Sequence, residues 1–260
     1  PSFQALAERP LEEQLATLRD PAFKAKLLAE APEQRGVFEA YITQSFDKMY
    51  AFTRTEDYEP DPADSLAARA KAQGRTPQEL AYEHLLSNDG QGFLYFPLFN
   101  YTDGNLDLLH TLHQHPRVLM GLSDGGAHCG AICDAGMPSF MITHWTRDRE
   151  RGPTLPLEYM VMRQTSQTAA FYGLHDRGTL APGLRADVNL IDMSALRLEL
   201  PRLVFDLPGG GRRLVQRADG YRMTLVAGQV VMDAGEPTGA LPGKLVRGPQ
   251  AAPVAASAAK

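Results

Sequence analysis

The sequence predicts an α/β fold followed by a smaller all-β part, on three observations. The continuously apolar run at 92–96 is typical of a strand buried on both faces of a parallel sheet. A predicted helix at 106–113 and a second apolar run at 117–122 complete a strand, helix and strand within about 30 residues, as in a right-handed crossover unit. Beyond Gly178 the pattern changes to short alternating strands separated by glycine-rich turns.

The N-terminal part is predicted to be mainly helical. Residues 5–54 are largely polar, with an amphipathic piece at 11–18 that follows Pro10, a residue suited to helix starts. The aromatic stretch at 49–52 predicts a short strand. The prolines within 58–62 then break the regular structure, because each one disfavours the helical region for its predecessor.

Two further helices are predicted from their end signals. The first covers 65–73 and stops at Gly74. Next, Thr76 can cap a helix while Glu79 reaches back to it, which is the pattern of a capping box. This box opens a predicted helix at 80–86.

The last hundred residues divide into a helix and a β-rich region. A single helix is predicted at 157–172, with Gly173 as its stop. The predicted strands follow at 188–192, 213–216, 221–227 and 229–232. We therefore place a domain boundary near Asp176 and predict the domains to be 1–175, 176–247 and a disordered tail at 248–260.

Composition excludes several classes of partner. There are 26 Lys and Arg residues against 31 Asp and Glu, which gives a net charge of −5 and a pI near 5.8. A nucleic acid or an anionic membrane needs a concentrated basic face, so neither is expected as a partner. The two cysteines, Cys129 and Cys133, are too few for a disulfide framework. We expect a cytoplasmic protein, and the start at Pro1 suggests the later part of a longer chain.

One short segment has the pattern of a catalytic site. Ser123 and Asp124 come directly after the predicted strand at 117–122, and Gly125 and Gly126 follow them. A carboxylate at the C-terminal end of a parallel strand lies where barrel enzymes keep catalytic groups, and glycines let a ligand approach the backbone. Asp124 is thus a candidate catalytic residue, with capping of the following turn as the alternative.

Three segments together resemble a known family. Residues 122–128 (LSDGGAH), 143–149 (THWTRDR) and 176–188 (DRGTLAPGLRADV) are similar to the amidohydrolase superfamily, in particular to its N-acyl-D-amino-acid deacylase branch. The resemblance extends from about Leu6 to Gly248. It implies the C-terminal part of a metal-dependent (β/α)₈ TIM-like barrel with a small β-sandwich. It also implies zinc as the cofactor, with most ligands expected upstream of residue 1.

The resemblance also implies a role for Asp124. In that family the matching aspartate lies beside the metal, accepts a proton from the attacking water and passes it to the departing amine. The implied substrate is a linear N-acyl-D-amino acid, cleaved to a D-amino acid and a carboxylate. Two alternatives stay open: a cyclic-amide hydrolase similar to hydantoinase or dihydroorotase, and a non-catalytic fragment that needs a metal-binding N-terminal part. The oligomeric state is not predicted.

Substrate contacts are expected from the residues around Asp124. Gly125 and Gly126 would let the substrate approach the backbone, and His128 is close enough in sequence to line the same mouth. A loop histidine satisfied by backbone groups is the alternative for His128.

The remaining histidines are predicted to be structural. His110, His113 and His115 form a His-x-x-His-x-His pattern, but they end a helix before the strand that leads to Asp124, so we expect a solvated helix end. For His144 and Trp145, a lid over the substrate and plain packing both stay open.

Other chemistries are not indicated. Cys129 and Cys133 are interpreted as buried apolar residues rather than a redox pair. The sequence contains no glycine-rich phosphate-binding loop with its lysine, which argues against a nucleotide-binding function.

Overall fold

The chain forms two compact units, Pro1–Leu106 and Asp107–Lys260. The computed structural model describes residues 2–7, 9–31, 36–54, 57–121, 123, 130–131 and 134–253. Within these ranges, no helix is long and apolar enough to cross a bilayer.

The first unit is mainly helical, as predicted. Its regular elements are α1 (Leu11–Leu18), α2 (Pro21–Ala29), α3 (Val37–Gln44), β1 (Tyr50–Phe52), α4 (Leu66–Gln73), α5 (Pro77–Leu85), the one-turn segment α6 (Ser87–Gly90) and β2 (Phe93–Tyr95). A short 3₁₀ turn, Pro62–Asp64, precedes α4.

Local side chains set the ends of α4 and α5. Ser65 Oγ accepts a hydrogen bond from the Ala68 amide at 3.3 Å, and Gly74 ends α4 in the left-handed region at φ 62°. At the start of α5 the Glu79 amide donates to Thr76 Oγ1 at 3.3 Å, while the Thr76 amide donates to Glu79 Oε2 at 2.9 Å. The predicted capping box and both predicted helices are therefore confirmed.

A small apolar core holds the first unit together. Leu66 of α4 is 1% exposed and packs in one cluster with Met49 and Ala81. Four partly buried side chains surround this cluster: Phe46, Leu80, Leu94 and Phe96. Because α4, α5 and β2 all contribute, the cluster ties helices and strand into one unit.

The predicted strand–helix–strand crossover is wrong for the described residues. The strand expected at 92–96 forms as β2, but it pairs antiparallel with β1, with Tyr50 opposite Tyr95 and Phe52 opposite Phe93. Residues 117–121 form no strand. There the Val118 amide donates to the His115 carbonyl at 3.1 Å and the Val118 carbonyl accepts from the Arg163 side chain, so both backbone groups of Val118 have partners outside a sheet.

The second unit begins with helices and ends with strands. Its helical elements are α7 (Asp107–His113), α8 (Met137–Thr143), a π-helical turn (His144–Asp148), α9 (Leu157–Gln164) and α10 (Ser166–Phe171). The strands are β3 (Val188–Ile191), β4 (Arg197–Leu198), β5 (Arg202–Leu207), β6 (Gly211–Val215), β7 (Ala218–Asp219), β8 (Tyr221–Val226), β9 (Gln229–Asp233) and β10 (Glu236–Pro237).

The single helix predicted at 157–172 is broken in two. Thr165 lies between α9 and α10 with φ −116° and ψ −90°, outside the helical region. Its hydroxyl donates to the Val161 carbonyl at 2.7 Å, and the Thr168 hydroxyl donates to the Arg163 carbonyl at 2.8 Å. Such bonds compete with the backbone bonds of a helix, which explains the interruption.

The strands of the second unit pair antiparallel. One sheet has the order β10-β9-β8-β3, β5 pairs with β6, and β4 pairs with β7. All four strands predicted between residues 188 and 232 are confirmed within one or two residues at their ends. The chain thus mixes helices and strands, as the α/β class requires, and the described strands do not close into a barrel.

The predicted domain boundary near Asp176 lies inside the second unit and stays a prediction. Part of the predicted tail is held by backbone pairing, because the Gln250 amide donates to the Gly173 carbonyl at 2.9 Å and its carbonyl accepts from the His175 amide at 3.0 Å. Residues 254–260 lie outside the described residues.

We expect Leu66→Ala to destabilise the protein by about 2–5 kcal/mol, since it leaves a cavity in the core cluster of the first unit. The matched control is Leu85→Ala, because Leu85 is 44% exposed and its truncation removes much less buried surface than that of Leu66. Urea unfolding of the full-length protein measures both. Equal shifts in the two variants would contradict the core described above.

Candidate functional site

The predicted catalytic segment itself is not described. Asp124, Gly125, Gly126 and His128 lie outside the described residues, as do the two cysteines. The structure describes parts of the chain before and after this segment, from α7 to Val118 and from α8 to α9. One tryptophan lies at the centre of the contacts between these parts.

Trp145 lies at the centre of a buried cluster, called here the Trp145 cluster, that also contains His110, His113, His144 and Arg149. Its indole is fully buried, with 0% of the residue exposed. The His113 and His144 rings meet it edge-on, at centroid distances of 4.8 and 5.0 Å. The Arg149 guanidinium carbon lies 5.0 Å from the ring centroid, within the range of a cation–π contact.

The π-helical turn places these side chains. It begins at His144 and ends at Asp148. Trp145 lies in its first half and Arg149 directly after its end, and the turn brings these two side chains into contact. The Trp145 carbonyl accepts a hydrogen bond from the Leu155 amide at 2.6 Å, so the chain returns against the turn. The turn continues α8 directly, and such single π-helical turns are rare and occur frequently at functional sites.

An ion pair connects the cluster to the start of α7. The Arg149 side chain is fully buried and donates to Asp107 Oδ1 at 2.7 Å and to the Pro153 carbonyl at 3.1 Å. Asp107 is 64% exposed, so solvent screens the attraction and its stabilising effect is small. The geometry fixes the position of α7 relative to the π-helical turn.

A second buried guanidinium has only neutral acceptors in the described part of the chain. Arg163 of α9 is 0% exposed. It donates through Nη1 to Gln167 Oε1 at 2.8 Å and through Nη2 to the Val118 carbonyl at 2.5 Å. Arg163 therefore contacts the backbone of the stretch that leads to Ser123 and Asp124.

His113 is a buried neutral base, which corrects the prediction of a solvated helix end. It is 9% exposed, and neither ring nitrogen has a hydrogen-bond partner among the described residues. Burial, and to a smaller extent the charge of Arg163 and the neighbouring His110 and His144, lower the pKa of His113 to about 4. His115 is exposed, as the prediction requires.

The histidines meet at an indole rather than at a metal. His110 also faces Trp145, at a centroid distance of 6.1 Å. Throughout the described ranges, no group of three or more His, Cys, Asp or Glu side chains could hold a metal ion. The residues within these ranges do not fit a zinc site.

For His144 and Trp145, the structure favours plain packing over a lid. Both are buried, and the His144 ring stacks on Phe140 at a centroid distance of 4.7 Å. If His144 and Trp145 formed a lid over a substrate, one face of these two rings would be open to the substrate. The burial of the whole indole leaves no such face.

The β-rich region contains an open groove of about 800 Å³ with balanced charge. Arg197 pairs with Asp219 at 2.7 Å, and Arg217 lies 3.6 Å from Glu236. These ion pairs balance the charges of the two arginines within the groove.

Sequence analysis missed Arg163 and its neighbour Tyr159. In α9 and α10, Val161 and Phe171 are exposed, while Met160 and Arg163 are fully buried. The available signal was the i, i+3 spacing of an arginine and a methionine. Such spacing defines a shared helix face, but it does not show that the arginine faces inward.

Comparison with known proteins now identifies the family. The model of the amidohydrolase family matches residues 10–232. The chain belongs to the amidohydrolase family. The superfamily named from the sequence is thereby confirmed, and the matched range includes the segment at 122–128 and the whole Trp145 cluster.

Two solved structures are similar to the chain, and both are D-aminoacylases. One defines a novel subset of amidohydrolases; it is 23% identical over 74% of this chain and 36% of its own length, with a TM-score of 0.38. The other was studied for the role of its binuclear metal centre; it is 21% identical over 88% of this chain and 44% of its own length, with a TM-score of 0.39. The chain thus spans less than half the length of either. No curated protein matches significantly.

We expect the stability of the protein to fall as pH decreases from about 6.5, the unfolded-state pKa of histidine, towards 4. In the folded state His113 is the neutral base, so between these two pH values protons bind preferentially to the unfolded chain. His113→Gln removes the titrating group and should flatten the dependence. Urea midpoints at several pH values measure it.

His115→Gln is the matched control for that measurement, because His115 belongs to the same pattern and is exposed. It should keep the pH dependence of the wild type. If His113→Gln and His115→Gln both kept that dependence, the buried neutral state of His113 would be refuted.

Proposed function

We propose that the protein carrying this chain is a metal-dependent hydrolase of linear amide C–N bonds, acting on N-acyl-D-amino acids. The observation that carries the proposal is the match of the amidohydrolase family model over 10–232, a range that includes the Ser-Asp-Gly-Gly-Ala-His segment at 123–128. The proposed products are a D-amino acid and a carboxylate.

Asp124 is the proposed proton shuttle. Water adds its oxygen to the acyl carbon, and the Asp124 carboxylate accepts the proton that this water releases. The same proton then passes to the amide nitrogen, because an amine leaves readily only after protonation. The C–N bond breaks with its electron pair on nitrogen, and the water supplies the new carboxylate oxygen. Its second proton leaves the carboxylic acid and is taken up by the departing amine, so atoms and charge balance without a further reactant.

Zinc is the proposed cofactor, with Asp124 beside it and most ligands contributed from upstream of residue 1. When bound, the metal would supply Lewis-acid polarisation of the acyl carbonyl. The described side chains provide no ligand set for it. We also propose that the chain contributes the last part of a (β/α)₈ barrel and part of a β-sandwich.

The substrate is proposed to contact the chain next to Asp124. The backbone of Gly125 and Gly126 would face the substrate, since a missing side chain permits close approach, and His128 would line the same mouth. We propose a small-molecule substrate, no nucleic acid or membrane partner, and a cytoplasmic location, on the acidic pI of 5.8 and the absence of a long apolar run from the sequence.

Asp124→Asn should lower turnover of N-acetyl-D-amino acids by about 10²–10⁴-fold in the full-length enzyme, because an amide cannot accept the proton. Asp233→Asn, at the exposed end of β9, is the matched control and should leave turnover unchanged. Steady-state kinetics on N-acetyl-D-amino acids and on hydantoins, side by side, give the measurement. Normal turnover by Asp124→Asn refutes the shuttle, and a preference for hydantoins refutes the substrate class.

Residues 1–260 purified alone should hold much less than one zinc per chain, because the described part offers no ligand set. Elemental analysis by mass spectrometry after gel filtration measures the ratio. Stoichiometric, tightly bound zinc together with amidase activity would show that the ligands lie within this chain and not upstream of it.

A further inference from the structure

Two side chains of α9 hold the stretch of backbone that leads to the proposed catalytic segment. The Tyr159 hydroxyl donates to the His113 carbonyl at 2.8 Å, at the end of α7. Arg163 Nη2 donates to the Val118 carbonyl at 2.5 Å. Residues four apart lie on one helix face. One face of α9 therefore donates hydrogen bonds to both ends of the linker at 113–118.

The Tyr159 and Arg163 side chains also contact each other. The Arg163 guanidinium carbon lies 5.9 Å from the centroid of the Tyr159 ring, which is a cation–π distance. On its other side, the guanidinium donates to Gln167 one turn further along the chain. Arg163 is therefore held from both sides, and its direction towards Val118 is fixed rather than one of many rotamers.

Stability alone does not account for Arg163. A guanidinium that is 0% exposed has lost its hydration, and no carboxylate among the described residues compensates for that loss. Replacing a buried ion by an apolar side chain of similar volume is often neutral or stabilising. The charge also disfavours protonation of the nearby His113, which keeps a second buried group neutral.

We propose that Arg163 and Tyr159 are positioning residues for the deacylase reaction. By fixing the carbonyls of His113 and Val118, they set the path of the chain towards Asp124, which lies six residues beyond Val118 in the sequence. The proposal rests on the proposed function of Asp124. Positioning has a large effect on rate, because a displacement of about 1 Å can cost on the order of 10²-fold.

Arg163→Met is the principal test, in the full-length enzyme. Methionine keeps much of the aliphatic stem and removes the donors and the charge. We expect kcat on an N-acetyl-D-amino acid to fall roughly ten- to hundredfold, with KM changed by less than about twofold. The melting temperature should stay the same or rise. A role in stability alone predicts the opposite combination, a lower melting temperature with kcat per folded molecule preserved.

Two conservative variants refine the test. Arg163→Lys keeps the charge and one donor, and it should restore part of the kcat lost in Arg163→Met. Tyr159→Phe removes one hydroxyl, and it should lower kcat about fivefold, the effect of one hydrogen bond. Arg213→Met is the matched control, because Arg213 makes an exposed pair with Asp206 on the β5–β6 hairpin; its kcat should be unchanged.

Hydrogen exchange measured by mass spectrometry gives a readout that does not depend on activity. Peptides that cover 113–121 should exchange faster in Arg163→Met than in wild type, while peptides from β8 and β9 should not change. The proposal is overturned if kcat of Arg163→Met stays within about twofold of wild type, or if exchange at 113–121 is unchanged. Should Arg163→Met fail to fold, Arg163→Lys and Tyr159→Phe decide by the same two measurements.

Two combinations of results distinguish a failure of the positioning proposal from a failure of the proposed function. If Asp124→Asn is inactive but Arg163→Met turns over normally, the positioning role is wrong and the shuttle stands. If Asp124→Asn is active, the proposed function is wrong, and an exchange change in Arg163→Met then reports only a structural contact.

Discussion

The burial of the Trp145 indole is the contact on which the described helical part of the second unit depends. The indole fills the space between His113 of α7 and His144 and Arg149 of the π-helical turn. Removing a buried tryptophan side chain costs about 3–5 kcal/mol, more than any of the exposed ion pairs contributes. The positions of α7 and of the linker after it follow from this packing, and so does the neutral state of His113.

The two buried guanidinium groups show how similar side chains serve different purposes. Arg149 has a carboxylate partner, lies over the indole and completes the packing of the cluster. Arg163 has neutral acceptors among the described residues and holds backbone instead. For Arg163 the direction of the guanidinium matters more than its charge, because this planar group is held by its neighbours and so determines where the Val118 carbonyl lies.

Features encoded by neighbouring residues could be predicted from the sequence. Thr76 and Glu79 act within one helical turn, and Gly74 acts through its own φ, so the helix ends were predicted correctly. The β-rich region was predicted for the same reason, because alternation and turn residues are local signals. The family followed from short segments whose residue types match as a group.

Features that depend on distant partners could not be predicted. The apolar run at 92–96 specifies a strand, but its antiparallel partner, β1, lies some 40 residues earlier in the chain. The run at 117–122 has strand composition, yet Arg163 occupies the Val118 carbonyl. Likewise, the break at Thr165 depends on hydroxyl hydrogen bonds that no periodicity reveals. The sequence identifies Asp124 as a candidate and the family resemblance implies its role, but Asp124 lies outside the described residues.

Quenching of Trp145 fluorescence is the most direct test of the buried cluster. Trp145 is the one tryptophan of this sequence, and subtracting the emission of Trp145→Phe isolates its signal in the full-length protein. The account predicts that iodide leaves this signal almost unquenched in the native protein, and that quenching rises in the same urea transition in which turnover is lost. Strong quenching under native conditions would contradict it, because the indole would then be exposed and the Trp145 cluster would not exist.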